Sequence, residues 1–407
     1  MSISRLATQP APGPRARAIA EAVLVNAQVI KEHIDKLCSF ILANADHTRD
    51  DRLWPADQQI FGLNPLSLAH GACGTALFLH AAMGQVPRES LDWIVNSPVS
   101  IDAYPPGLST GLAGIAYTLW ELGQHERAEE VMSLCRRSPL RLSDPGLMWG
   151  AAGWGIVALR LYQDTGKDAY LDAACEAGEY LVSTGIREDD AMVWRTPSDS
   201  QIHFGYGHGG AGIASFLVLL GDATGDDVFH ATAQQAMAGD LRGGLPQRIG
   251  IHWPRYRGDQ ATFPYFIHGT SGVGTVLIRN SWRTGWEAHG ERLAALAEDS
   301  FCVWSILPSL FDGLSGVGEF MLDLHRLAGD PLAEARVHRI AKSVLMYGVE
   351  RPGGIAYPGR WLERLATDAS TGSAGIGFFL LRLHAGGPRF LVDFGVSPEK
   401  LQAMSHG

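Results

Sequence analysis

HGGAGIASFLVLL (residues 208–220) sets two glycines three residues apart at the head of an apolar run, and this arrangement recurs along the chain. Seven copies are present, among them HGTSGVGTVLI (268–278) and TGSAGIGFFLLRL (371–383). A repeat of this kind indicates an architecture in which each unit stacks on its neighbours to bury a shared core. The paired glycines are Gly71 and Gly74, Gly111 and Gly114, Gly150 and Gly153, Gly209 and Gly212, Gly269 and Gly272, Gly313 and Gly316, and Gly372 and Gly375.

The runs that follow the glycines are apolar on nearly every side, as in LAGIAYTLW (112–120), which predicts helices with little exposed surface. Charged, amphipathic stretches alternate with them, as in AEAVLVNAQVIKEHIDKLCSFIL (20–42), whose apolar spacing is typical of a helix with one wet face. We therefore predict an all-α fold, an (α/α)7 double toroid with seven inner and seven outer helices. The outer helices are assigned to residues 16–46, 88–96, 124–137, 167–184, 225–240, 285–306 and 331–347.

The repeats run through most of the 407 residues, so we expect one domain rather than two or three. Hydrophobic residues make up 46% and charged residues 19%, the profile of a globular protein with a large core. We assign residues 1–15 to a disordered arm, 16–390 to the toroid and 391–407 to a C-terminal tail. Three longer connections carry short strand-like runs expected to rim one mouth of the barrel. They are AMVWRTP (191–197), GIHWP (250–254) and GIAYP (354–358).

A net charge of −10 argues against a nucleic-acid or anionic-membrane partner, because both select clustered Lys and Arg. The five cysteines are scattered, so neither a disulfide framework nor a zinc finger is indicated. The N-terminus has no apolar signal region, and no stretch reaches the roughly 18 apolar residues of a membrane span. These features favour a cytoplasmic protein whose partner is a peptide, a small molecule or another protein.

The residue before each first glycine is the strongest candidate for function, because the repeats bring all seven to one end of the barrel. For a single Gly-x-x-Gly the structural explanation is close backbone packing. Three histidines and an aspartate in seven equivalent positions are a heavy polar load for an apolar barrel, and buried polar groups must be hydrogen-bonded or used. We also expect seven helix N-termini to present unpaired N–H groups suited to an anion. The seven residues are His70, Thr110, Trp149, His208, His268, Asp312 and Thr371.

These motifs resemble the lanthipeptide cyclase (LanC-like) family over about residues 20–390. The resemblance implies a seven-fold double toroid that adds Cys thiols to dehydroalanine or dehydrobutyrine in a precursor peptide. RLWPADQQIFGLNPLSLAHGACG (52–74) and GGPRFLVDFG (386–395) are most similar to the cyclase domains of class III lanthipeptide synthetases, which lack the family's zinc site. The resemblance therefore implies no cofactor.

Departures from the family's zinc enzymes concern the metal ligands. Ile267 and Phe311 stand where those enzymes have cysteines, and Asp312 stands where they have a histidine. The histidine that the family offers as proton donor to the enolate corresponds to His208. A family aspartate of the third repeat falls on Gly146, with Asp144 only nearby.

The first functional hypothesis is a zinc-independent cyclase. A peptide thiol has a pKa near 8.5, so it needs a base or an electropositive pocket to ionise. His268, polarised by Asp312, is assigned as the base and His208 as the acid, although the two roles are interchangeable at this stage. His70, Thr110, Trp149, Tyr206 and Thr371 are assigned to substrate binding.

Three alternatives stay open. In the first, the protein is a non-catalytic scaffold that binds the precursor peptide or a partner kinase or lyase, since fold does not dictate function. Alternatively, His208, His268 and Asp312 hold a metal with water. A toroidal glycosidase is less favoured, because it needs two inward carboxylates and only Asp312 qualifies. The chain contains no kinase or lyase motif, so we expect separate proteins to dehydrate the peptide.

Overall fold

The computed structural model describes residues 24–247, 250–284 and 290–393, and most of its regular structure is helical. Seven inner helices follow the paired glycines, and each begins at the residue after the first glycine, which confirms the predicted starts. They are α2 (Ala72–Met83), α4 (Leu112–Glu121), α6 (Ala151–Thr165), α8 (Gly210–Thr224), α10 (Thr270–Thr284), α12 (Leu314–Ala328) and α14 (Ser373–Ala385).

Seven amphipathic helices alternate with the inner ones in the described part of the chain, within the stretches predicted from charge patterning or two residues beyond them. The predicted arm, residues 1–15, and the first residues of the predicted first outer helix lie outside the described residues. The outer helices are α1 (Ala27–Ala43), α3 (Arg88–Asn96), α5 (His125–Arg137), α7 (Asp168–Thr184), α9 (Asp227–Arg242), α11 (Gly290–Ser300) and α13 (Ala333–Leu345).

The inner helices form one closed ring. Each contacts the inner helix of the next repeat, and α14 contacts α2. Each of the other outer helices packs on the inner helix just before it in the chain, whereas α1 packs on α14 and on the strand Gly354–Pro358. The first described helix thus completes the last repeat, and the two ends of the ring are held by each other. This arrangement confirms the predicted (α/α)7 toroid.

Three small antiparallel sheets lie in the long connections that lead into inner helices. Strands β1 (Ile186–Glu188) and β2 (Ala191–Val193) pair in the first. The other two have three strands each, and the strand predicted at 191–197 is shorter than expected because it ends at Val193. Their strands are β3 (Leu245–Pro246), β4 (Ile251–Pro254) and β5 (Thr262–Phe263), and β6 (Val349–Arg351), β7 (Gly354–Pro358) and β8 (Leu365–Ala366).

A closed circle of backbone hydrogen bonds joins the seven turns. The N–H two residues before each first glycine donates to the matching carbonyl of the next repeat, and the last repeat donates to the first. Each link is between 2.7 and 3.2 Å long. The circle runs from Ala69 to Ser109, Met148, Gly207, Ile267, Phe311, Ser370 and back to Ala69.

The second glycine of each pair allows the turn to lie against its own helix. A Cβ at Gly153 would sit 1.9 Å from the Leu147 carbonyl oxygen, and one at Gly272 would sit 2.1 Å from the Phe266 oxygen. The equivalent carbonyl lies 2.2 Å or less from such a Cβ in all seven repeats. Any larger residue would push the turn off the helix, so the glycines themselves are structural.

A short segment, residues 386–393, closes the other end of the lumen. We call it the C-terminal segment. Its Arg389 is 2% exposed, stacks over the ring of Phe266 at 4.6 Å and pairs with the buried Asp323. Leu391 and Val392, assigned to the tail from sequence, are buried in the barrel, so the packed domain extends beyond residue 390. No helix in the described ranges combines the length and apolarity that a bilayer crossing needs.

Candidate functional site at the glycine face

The inner helices all begin at one end of the toroid, where the seven glycine turns meet. We call this end the glycine face. Every connection that leads into an inner helix lies there, including the three small sheets. The circle of hydrogen bonds fixes the residue before each first glycine in repeat order around this face, and we call the surface that these residues surround the bowl. The predicted gathering of these seven residues at one end is therefore correct.

The helix N-termini at this face are not free, contrary to expectation. In six inner helices an early N–H donates to a loop carbonyl seven residues earlier, as Ala72 does to Pro65 at 2.9 Å. In α8 the first two N–H groups donate instead to the buried carboxylate of Asp240, each at 2.9 Å. The predicted set of unpaired N–H groups is wrong, because the preceding loop folds back onto each helix.

Three aromatic rings of successive repeats stack along one side of the bowl. The Trp149 and His208 ring centroids are 4.2 Å apart, and those of His208 and His268 are 5.3 Å apart with nearly parallel planes. Trp149 is 43% exposed, and both histidines are half-buried. Within the described residues nothing hydrogen-bonds to His208, and Nδ1 of His268 is buried without a partner. The imidazoles are therefore held by packing and keep free nitrogens.

Both histidines are neutral near pH 7 because their pKa values are lowered, but the effects that set the two pKa values differ. Burial lowers the pKa of His208 well below its ordinary value, and the neighbouring His268 and His203 lower it further. Burial also lowers the pKa of His268, but the carboxylate of Asp312 opposes that effect. His268 is therefore the better placed of the two to accept and hold a proton.

Asp312 lies next to His268 in repeat order and faces a guanidinium. Its Oδ2 is 4.0 Å from Nη2 of Arg360, a loose ion pair between two partly exposed side chains. With the Gln59 amide oriented so that its oxygen faces Arg360, that oxygen accepts from both terminal nitrogens of the guanidinium. The Gln59 nitrogen then donates to Nε2 of His70 at 3.0 Å. A polar arc thus connects repeats five, six, seven and one.

His70 and Thr371 are tied to a structural carboxylate. Asp368 is buried and accepts from the Thr371 hydroxyl at 3.1 Å and from the Thr371 N–H at 2.8 Å. His70 Nδ1 lies 3.7 Å from the same carboxylate. Thr371 is 2% exposed, so its side chain stabilises the turn and does not face a ligand. This burial does not support the substrate-binding role predicted for Thr371, which stays a prediction.

Tyr206 and Thr110, two further residues predicted to bind substrate, are also buried within the fold. Tyr206 is fully buried, stacks on Phe266 at 4.7 Å and donates its hydroxyl hydrogen to the Leu391 carbonyl. Thr110 is 7% exposed, and its carbonyl accepts from the Asn64 amide. Because both residues are buried, the structure does not support their predicted contact with substrate, which stays a prediction. Trp149 remains the exposed member of the predicted binding set.

Ile267, Phe311 and Asp312, which the resemblance places at the metal-ligand positions of the family's zinc enzymes, do not form a cluster of donor side chains. Ile267 and Phe311 are 4% and 5% exposed and contribute their backbones to the hydrogen-bond circle. Among the described residues, no three His, Cys, Asp or Glu side chains converge as metal ligands would. His208, His268 and Asp312 are therefore neighbours on an arc and do not form the metal triad of the third hypothesis.

Residues that the sequence reasoning did not select complete the site. His203 lies beside His208, with ring centroids 5.8 Å apart, and its Nε2 is 2.8 Å from Asp199. Arg360 comes from the loop before repeat seven. Both lie outside the repeat motif, so the only available signal was their place in the long connections. Asp144 accepts from the Gly146 N–H at 2.8 Å, so it stabilises its own turn.

A family model described as lanthionine synthetase C-like protein matches residues 127–392. The probable SapB synthase of Streptomyces coelicolor is 29% identical over 353 residues, which are 84% of this chain and 36% of that protein. The chain thus spans little more than a third of the length of the curated relative it matches.

Solved structures share the architecture at low identity. Nisin cyclase superposes with a TM-score of 0.63 at 14% identity, covering 82% of this chain and 92% of that one. An unsaturated glucuronyl hydrolase from Streptococcus agalactiae superposes with a TM-score of 0.52 at 11% identity, covering 96% and 100%. At these identities the likeness shows the fold alone.

Proposed function

The chain belongs to the lanthionine synthetase C-like family, and from that membership we propose that it forms thioether rings in a dehydrated precursor peptide without zinc. The reaction is the Michael-type addition of Cys thiols to dehydroalanine or dehydrobutyrine. The observation that carries the proposal is the His208–His268 stack at the glycine face, where the carboxylate of Asp312 acts on His268. Two neutral imidazoles next to a carboxylate are suited to moving a proton.

The proton movement assigns His268 as both base and acid. His268 takes the thiol proton, the thiolate forms the C–S bond, and the imidazolium returns the proton to the α-carbon of the resulting enolate. Asp312 stabilises the imidazolium, as its effect on the pKa of His268 indicates. His208 has no carboxylate partner among the described residues, so we assign it to packing and orienting the substrate beside Trp149.

Zinc independence rests on the side chains that replace the ligands. Ile267 and Phe311 offer no donor atoms, and Asp312 alone cannot supply the several protein ligands of a zinc site. We therefore expect purified protein to carry no stoichiometric zinc. Elemental analysis that found close to one zinc per chain, resistant to dialysis, would contradict this prediction.

The test of the proposed activity is ring formation by the metal-stripped protein. A dehydrated precursor peptide with reduced cysteines is incubated with and without protein, then alkylated and weighed by mass spectrometry. Ring closure leaves the peptide mass unchanged and removes alkylatable thiols, so faster thiol loss with protein supports the proposal. Dehydration itself requires a kinase and a lyase, which we propose are separate proteins or further domains, since the matched relative is much longer.

A scaffold without chemistry is the second candidate. A groove of about 930 Å³ on the outer wall, between α9 and α11, favours it, because Met237, Leu241 and Leu277 line it and suit a partner segment. A scaffold predicts that ring formation survives His268→Asn, while changes in the rim segments 188–203 and 245–262 weaken peptide or partner binding. Equal ring formation by wild type and the triple variant of His208, His268 and Asp312 would decide for the scaffold.

A further inference from the structure

We propose that Arg360 is a catalytic residue whose guanidinium stabilises the enolate oxygen formed as the thiolate adds to the dehydroamino acid. The inference rests on the proposed cyclase function. It assigns the electrophilic half of the reaction, which the histidines alone do not provide.

The backbone around Arg360 is strained and firmly held. Trp361 and Leu362, the next two residues, have φ angles of 61° and 60°, a region that side chains other than glycine rarely adopt. The loop is anchored at its base, where Gly359 N–H donates to the Arg364 carbonyl at 2.9 Å and Pro358 pairs with Leu365. Strain of this kind persists when the surroundings enforce it, and it clusters at functional sites.

The side chain of Arg360 is oriented without being neutralised. Gln59, a neutral group, holds it through an amide oxygen, and the Asp312 carboxylate stays 4.0 Å away. By contrast, Arg255 and Arg257 on the same face pair with Asp259 and Glu188 at 2.8 Å. Their guanidinium groups are committed to carboxylates. Arg360 keeps N–H donors for a ligand in the bowl, and its side chain is 31% exposed.

The position of Arg360 matches the base already assigned. Asp312 separates Arg360 from His268 in repeat order, so one carboxylate lies between the cation and the imidazole. Burial is the main cause of the lowered pKa of His268, and the charge of Arg360 adds a small contribution in the same direction. A dehydroamino acid whose α-carbon lies over His268 and whose carbonyl extends past Asp312 would meet the guanidinium of Arg360, which is 4.0 Å from the Asp312 carboxylate.

The chemistry balances without a further reactant. The thiolate sulfur bonds to the β-carbon, the double-bond electrons move to the carbonyl oxygen, and the enolate oxygen accepts hydrogen bonds from the guanidinium. The proton removed from the thiol then goes from His268 to the α-carbon. Nothing is oxidised or reduced. Donors placed where negative charge develops commonly contribute ~10²–10³ in rate.

Three variants test the assignment. Arg360→Met removes the charge and keeps the length, and Arg360→Lys keeps the charge and loses the planar fork. Arg127→Met is the control, because Arg127 lies on the outer helix α5 and pairs with Glu130 at 2.9 Å. We expect Arg360→Met to lower kcat for thiol loss by ~10²-fold or more, with KM and the thermal midpoint close to wild type. Arg360→Lys should recover part of the rate, and Arg127→Met should match wild type.

The outcomes separate this inference from the proposed function. If wild type accelerates ring closure and Arg360→Met does so equally, Arg360 is not catalytic and the cyclase proposal stands. If Arg360→Met raises KM alone, its role is binding and the inference is overturned. Wild type that does not accelerate ring closure overturns both.

Discussion

At the residue scale, the site depends on one position repeated seven times with different side chains. The hydrogen-bond circle fixes the backbone of the neighbouring residue in every repeat through main-chain groups, so the turns share one geometry although the side chain before each first glycine differs. The side chains of Trp149, His208 and His268 stack on one another at the bowl, and Asp312 follows them in repeat order. Chemistry can vary here because the backbone already satisfies its own hydrogen bonds.

Replacing His268 by Asn should lower the rate of ring closure by ~10²–10⁴-fold, because the base and proton carrier is lost. His208→Asn is the matched control on the neighbouring repeat, and we expect a smaller loss because His208 packs beside the substrate. Thiol-loss kinetics measure both, with circular dichroism melts to confirm the fold. A larger loss for His208→Asn would exchange the two roles.

The pH dependence should follow the charges around His268. Its pKa lies below 6.5, so the acid limb of kcat falls below that pH as the imidazole becomes protonated. Asp312 raises this pKa and Arg360 lowers it. Asp312→Asn should therefore lower the pKa of His268 and move the acid limb of kcat to lower pH. Arg360→Met should raise this pKa and move the acid limb to higher pH. Titration of the His268 ring by NMR checks both shifts, and shifts of the same sign would refute this charge arrangement.

At the element scale, the helices were predictable and the contacts between turns were not. Glycine pairs and apolar runs locate the seven inner helices, and charged amphipathic stretches locate the outer ones, because helix periodicity is local in sequence. The circle of hydrogen bonds joins residues of different repeats, so no local pattern reveals it. Arg360 and His203 come from irregular loops, where sequence gives position along the chain but not direction in space. A partial signal existed for the charged lumen: Arg279, Asp323 and Arg382 each follow a second glycine by seven residues.

Gly272→Ala tests the tight approach of turn and helix. The new Cβ would lie 2.1 Å from the Phe266 carbonyl oxygen and 3.1 Å from the Tyr206 Cβ, so two repeats would have to separate. We expect a loss in the free energy of unfolding of about 1–3 kcal/mol or more. Gly62→Ala is the control, because nothing lies within 4 Å of its Cβ position. Urea unfolding compares them, and equal stability of the two variants would show that the turn adapts.

At the scale of the whole molecule, the ring is held at two levels. The backbone circle closes the glycine face, and a buried ionic cluster closes the lumen below it. In that cluster Asp323 pairs with Arg279 at 2.8 Å and with Arg382 at 2.7 Å, and Arg389 of the C-terminal segment joins the same carboxylate. A hydrogen bond connects the two levels, because the Tyr206 hydroxyl donates to the Leu391 carbonyl of the C-terminal segment. The floor of the bowl is therefore supported by the end of the described chain.

Arg389→Met tests whether this support reaches the site. The change leaves Asp323 with two cations instead of three and removes the guanidinium from the face of Phe266, which precedes His268 by two residues. Removing one partner of a buried ion pair commonly costs about 3–5 kcal/mol, because the other charge stays buried. We expect a loss of that size in urea unfolding together with altered NMR signals from the His208 and His268 rings. Lys36→Met is the control, since its ion pair with Glu350 is exposed and should contribute little. Loss of stability with unchanged histidine signals would mean that the circle of hydrogen bonds alone fixes the bowl, and that the C-terminal segment stabilises the fold without positioning the site.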